Sequence, residues 1–124
     1  MRVDVRQAED VIDVIIVDLK GRLVAGTGDQ LLREVINELL AEKWSKILLN
    51  LSEVTKIDSA GIGELVASIK LAERFDSQVK LLHVRGQIRD ILELSQILPL
   101  LEVHDSEEEA IHAFEADATA SGVE

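Results

Sequence analysis

Apolar and polar positions along this chain switch repeatedly between a two-residue and a 3.6-residue rhythm. Val11 to Leu19 (VIDVIIVDL) is rich in β-branched residues and reads as a strand, with Val3 to Arg6 as a shorter candidate for its hairpin partner. After Gly21-Arg22-Leu23-Val24-Ala25-Gly26, Thr27 stands at an N-cap with Gln30 three residues on, the spacing of a capping box. Leu32, Val35, Ile36 and Leu39 then recur at helical spacing through about Glu42. Lys46 to Leu51 is short and almost continuously apolar, as a strand buried on both faces would be. Ile62, Leu65, Val66 and Ile69 form one helical face, opposite Glu64, Ser68 and Lys70. Val79 to Val84 reads as another strand. Ile88, Ile91, Leu92 and Ser95 sketch a helix stopped before Pro99. Leu100 to Val103 reads as a last short strand. Ser106-Glu107-Glu108-Glu109 is a second capping box, with acids suited to a helix's positive end, and Ala110, Ile111 and Phe114 give that helix its apolar side.

Strands alternate with helices four times, which predicts an α/β layer around a mostly parallel sheet. With no internal repeat and no linker, the chain reads as one domain over residues 1–117, followed by a flexible C-terminal tail over 118–124. Residues that are 47% hydrophobic and 30% charged suit a soluble globular domain and exclude a disordered chain. No apolar run approaches the roughly 20 residues of a membrane span, and the N-terminus lacks a signal peptide's apolar centre. No cysteine is present, so disulfide, zinc-thiolate and thiol redox chemistry are excluded, and cytoplasmic residence is expected.

Charge changes the picture in one respect. Through Arg89 the chain carries 13 basic and 14 acidic residues; from Asp90 onward it carries 10 acidic residues and no Lys or Arg. Such a surface repels nucleic acid and anionic membranes, so neither direct nucleic-acid binding nor membrane insertion is expected. It is either a solvated helix face with a soluble tail or a surface for a basic protein partner. The net charge also favours a monomer, with a weak dimer as the alternative.

Candidate chemistry narrows to one turn. His83, His104 and His112 fall in no ligand spacing, so no metal site is expected. Gly26-Thr27-Gly28 lacks the third glycine of a dinucleotide fingerprint, Leu31 standing in its place, and no cofactor is expected. The remaining feature is Lys56-Ile57-Asp58-Ser59-Ala60-Gly61-Ile62-Gly63-Glu64-Leu65, after a strand and at the mouth of a helix. A hydrolase elbow needs glycine two residues before the serine as well as two after; Ile57 occupies the earlier place, and only His83 offers itself as a base. No catalytic residue is therefore assigned. Asp58 and Ser59 are both good helix caps, which by itself would account for them. Gly61 and Gly63 each cost a helix about 0.5–1 kcal/mol relative to alanine, and a turn kept this slim lets another backbone, or another protein, come close to Ser59. An exposed serine here is also a good kinase acceptor, whose phosphate would meet free N–H groups and the positive helix end.

Ile47 to Leu65, ILLNLSEVTKIDSAGIGEL, resembles the signature of STAS domains and most closely that of bacterial anti-sigma factor antagonists. The resemblance extends more loosely along almost the whole chain. It implies a single STAS-like domain with a mixed, mostly parallel sheet of four to five strands and about four helices packed mainly on one side. It also implies a non-catalytic role in partner switching. The unphosphorylated protein would bind an anti-sigma factor serine kinase, phosphorylation of Ser59 would release it, and a metal-dependent serine phosphatase would reset it. The partner surface expected on this basis comprises Gly21, Arg22, Leu23 and Val24 together with Lys56, Ile57, Asp58, Ser59, Gly61, Ile62 and Glu64. Val24 stands where many members carry an acid, and Ala60 replaces a common hydroxyl residue, leaving Ser59 the only acceptor in the turn. Two rival expectations remain: a STAS accessory or scaffold subunit of a membrane transporter or signalling complex, and a small nucleotide-binding or hydrolytic enzyme.

Overall fold

The β-branched runs pair at the centre of a five-stranded sheet. The computed structural model describes residues 1–9, 11 and 13–122, with side chains through Asp117; the tail expected over 118–124 lies outside the described side chains. The elements are β1 (Arg2–Gln7), β2 (Val14–Leu23), α1 (Gly28–Ala41), β3 (Lys46–Ile57), α2 (Ser59–Arg74), β4 (Gln78–Leu82), α3 (Gly86–Leu94), a 3-10 turn (Leu98–Leu100), β5 (Val103–His104) and α4 (Glu107–Gly122). Strand order is β1-β2-β3-β4-β5. β1 runs antiparallel to β2 as the hairpin reading predicts, and all later neighbours are parallel.

Alternation along each strand sorts the core into two faces. Ile15, Val17 and Leu19 of β2, Ile47 and Leu49 of β3, and Leu81 of β4 pack with apolar residues of α1, α2 and α3. The intervening Val14, Ile16, Leu48 and Leu82 pack with Ala110 and Phe114 of α4. Three helices thus cover one face and one helix the other. On the α4 face β4 also buries Lys80, whose side chain is 2% exposed. Its Nζ donates to Asp117 Oδ2 at 2.7 Å and to Glu102 Oε2 at 2.5 Å, and lies 4.9 Å from the centroid of the Phe114 ring.

Several boundaries differ from the sequence reading, each for a physical reason. β2 runs on to Leu23 and β3 to Ile57, beyond the ends at Leu19 and Leu51 read from the sequence. Two register shifts, between Asp18 and Lys20 and between Gly21 and Arg22, together with Gly21 at φ 104°, carry the pairing through. Thr27 is the N-cap of α1 but makes no side-chain cap bond; Asp29 Oδ1 accepts from the N–H groups of Gly26 and Gln30 instead. The last strand is Val103–His104, because Pro99 closes the preceding residues into a 3-10 turn. β4 stops at Leu82, with His83 at φ 60°. The second capping box forms as read, with Ser106 Oγ accepting from Glu109 N–H at 3.1 Å.

Candidate functional site

The quoted turn is tied down before it is displayed. Asp58 is the N-cap of α2: its Oδ1 accepts from Gly61 N–H at 3.0 Å, and Ser59 is the first helical residue. The other oxygen, Oδ2, accepts from Ala25 N–H at 3.0 Å, and Asp58 N–H donates back to the Leu23 carbonyl at 3.4 Å. The end of β2 and the start of α2 are thus stitched together by one aspartate. Those N–H donors, Ala25 first and Gly61 second, hold the Asp58 carboxyl below the usual carboxylate range. A depressed folded-state pKa contributes stability above the ordinary carboxylate range and loses it as pH falls through the lowered value. Asp58→Asn is therefore expected to lower the melting temperature at pH 7 and to narrow the difference from wild type in acid, as a pH series of thermal melts would show.

Glycine resolves into two roles. A Cβ on Gly61 would sit 2.1 Å from the Leu23 carbonyl oxygen, whereas a Cβ on Gly63 would meet nothing within 4 Å. The backbone that approaches the slim turn is the chain's own, and Gly61 is a packing residue. Gly28, opening α1, does the same from the other side: its Cβ would lie 2.3 Å from the Arg22 carbonyl oxygen. The end of β2 is clamped between two helix starts.

The expected partner residues do not all reach the surface. Leu23, Ile57, Gly61 and Glu64 are buried, so they support the surface from beneath. Glu64 Oε1 accepts from Arg33 Nε at 3.0 Å and Nη2 at 2.8 Å, joining α2 to α1. Gly21, Val24, Asp58 and Ile62 are half-buried, and Arg22, Lys56 and Ser59 are exposed. The Ser59 hydroxyl stands in solvent and has no hydrogen-bond partner among the described residues. No base is hydrogen-bonded to it; His83 has its Nδ1 buried without a partner. A phosphate on Ser59 would share its helix start with the Asp58 carboxylate, which already accepts from the Gly61 N–H. That takes one of the N–H groups expected to be free and sets the added charge beside a carboxylate.

No group of three His, Cys, Asp or Glu among the described residues is placed to hold a metal ion, and no described helix is long and apolar enough to cross a membrane.

Known proteins resemble this chain in sequence and in fold. The sequence pattern of the STAS domain matches residues 2–110. The anti-sigma F factor antagonist of Paenibacillus polymyxa is 24% identical over 102 residues, covering 82% of this chain and 87% of that protein. The Bacillus protein SpoIIAA in its unphosphorylated form superposes with a TM-score of 0.68 at 19% identity, covering 92% of this chain and 98% of SpoIIAA; its phosphorylated form gives 0.67. A sulfate transporter family protein from Wolinella succinogenes gives 0.73 at 19% identity, covering 86% of this chain and 88% of that one.

Proposed function

The chain belongs to the STAS domain family, and from that premise we propose that it is an anti-sigma factor antagonist working by partner switching. In its unphosphorylated form it binds an anti-sigma serine kinase through the Ser59 turn and the adjoining end of β2. The kinase phosphorylates Ser59, the complex dissociates, and a serine phosphatase resets the protein. The observation that carries this reading is the Ser59 hydroxyl, exposed and without a partner on a backbone fixed by Asp58. The resemblance to the Paenibacillus antagonist supplies the class of partner.

Physically, the switch needs no refolding. A phosphoserine adds about −1.5 to −2 charges. Placed at the centre of a docked surface and beside Asp58, that charge makes the bound state unfavourable while leaving the packing beneath unchanged. Incubation with an anti-sigma serine kinase from the same genome and ATP is expected to add one phosphate, located on Ser59 by tandem mass spectrometry. Ser59→Ala should take up none, and phosphate found elsewhere would overturn the assignment. Ser59→Glu should weaken the kinase complex about a hundredfold, read by calorimetry, with the melting temperature nearly unchanged.

A second reading, a STAS module attached to a membrane transporter, draws on the fold likeness to the Wolinella protein. It predicts that the chain co-purifies with a membrane complex whatever the state of Ser59.

A further inference from the structure

The ladder between β2 and β3 handles charge in two ways. Lys20 is paired with Glu53, their charged ends 3.7 Å apart. Beyond the next register shift, Arg22 is paired with Lys56. Like charges set directly opposite one another weaken a sheet. Both side chains are exposed, and neither has a hydrogen bond or ion pair among the described residues. Counter-charge is not scarce, since the chain holds 24 acidic residues against 13 basic ones. Arg2, Arg6, Lys20, Arg33, Lys46, Lys80 and Arg89 have acidic partners, whereas Lys43, Lys70, Arg74 and Arg85, like Arg22 and Lys56, have no ion pair among the described residues. What sets Arg22 and Lys56 apart is that they face each other across a strand ladder.

The pair is also held in place. Gly28 brings α1 against the Arg22 carbonyl, and the Leu23 carbonyl accepts from Asp58 N–H. Lys56 lies at the end of β3, three residues before Ser59 at the start of α2. Two unpaired cations on fixed backbone therefore border the acceptor turn, in a chain whose net charge is −11. Resting on the partner-switching reading of Ser59, we propose that Arg22 and Lys56 form a cationic docking edge for carboxylates of the protein partner, and that phosphate on Ser59 competes for the same two cations. Nucleic acid and anionic lipid are poorer occupants, because the ten acidic residues from Asp90 onward repel a polyanion long or broad enough to reach past the edge. A folded partner can present its carboxylates to this edge alone. With Asp58 already bonded to the Gly61 N–H, Arg22 and Lys56 on the adjoining strand ends add counter-charge open to a phosphate. Phosphorylation then acts twice, by adding repulsion and by withdrawing the docking cations.

A capped octaglutamate peptide titrated into the 15N-labelled chain tests this without knowledge of the partner. Amide shifts are expected to concentrate at Arg22, Lys56 and residues 59–63 and to fade with added salt. Arg22→Glu with Lys56→Glu should weaken peptide binding about tenfold, as reversal of two exposed charges would. Phosphoserine incorporated at position 59 by codon expansion should weaken it comparably, while Ser59→Ala binds like wild type. Shifts centred on Lys43, Lys70 or Arg74, or peptide binding unchanged by the double charge reversal, would overturn the docking edge. Unchanged binding by the phosphoserine protein would overturn the competition. A failure of the kinase to modify Ser59 would show in the mass-spectrometric assay and leave the peptide result standing, so the two readings fail separately.

Discussion

Gly61→Ala is expected to lower stability by about 3 kcal/mol, because its Cβ would arrive 2.1 Å from the Leu23 carbonyl oxygen, a backbone atom that cannot rotate away. Leu23 Cγ and Ile57 Cγ1 stand at 2.9 and 3.0 Å, closing the other directions. Relief requires α2 to shift off β2, which also breaks the hydrogen bonds that tie Asp58 to Ala25 and Leu23. Gly63→Ala, one half-turn away in open space, should stabilise the protein by about 0.5–1 kcal/mol through helix propensity alone. Chemical denaturation of the two variants in parallel decides the matter, and equal effects would show that the clash is absorbed. A loss of partner binding in Gly61→Ala would report a displaced helix and not a lost contact.

Lys80 carries the second large effect. Lys80→Ala empties the volume beneath Phe114 and is expected to cost about 2–4 kcal/mol. Lys80→Met fills that volume without a charge. Since Glu102 and Asp117 are about half exposed, both can return to water, and Lys80→Met should lie within about 1 kcal/mol of wild type at pH 7. The pH dependence separates volume from charge. The Lys80 ammonium holds the Asp117 carboxyl below its ordinary range; for Glu102, burial pushes the pKa up, but hydrogen bonds from Lys80 and His104 outweigh it. Their contribution is present above the ordinary carboxylate range and is lost as pH falls through the lowered values. Lys80→Met should therefore flatten the acid side of the stability profile. A Met variant as unstable as the Ala variant would show that the ion pairs, and not packing, hold α4 to the sheet.

Periodicity alone was enough to read the helices and the α/β alternation, because Leu32, Ile36 and Leu39, or Ile62, Leu65 and Ile69, repeat at a spacing only a helix satisfies. It failed at the far ends of β2 and β3. Beyond Leu51 the buried residues are Val54 and Ile57, every third position, so the segment looks like a loop until the register shifts against β2 are known. Ser59 could be read as exposed from its polar, glycine-lined neighbours. The reason for Gly61 could not, since its contact is with Leu23, 38 positions earlier in the chain. Lys80 was equally hidden: on an uncovered sheet face it would be an ordinary outward lysine, and only α4, bringing Asp117, makes it a buried one.

The two glycines that grip the end of β2 have a consequence in time. Because the strand end and the Ser59 turn form a single pre-assembled block, the phosphorylation proposed for Ser59 would have no slow rearrangement to wait for. In the partner-switching reading proposed above, the lag between signal and release would be set by enzyme turnover and by how quickly the departing protein diffuses away. On that reading the domain would act as a relay with no moving parts, thrown and reset as often as phosphate is exchanged.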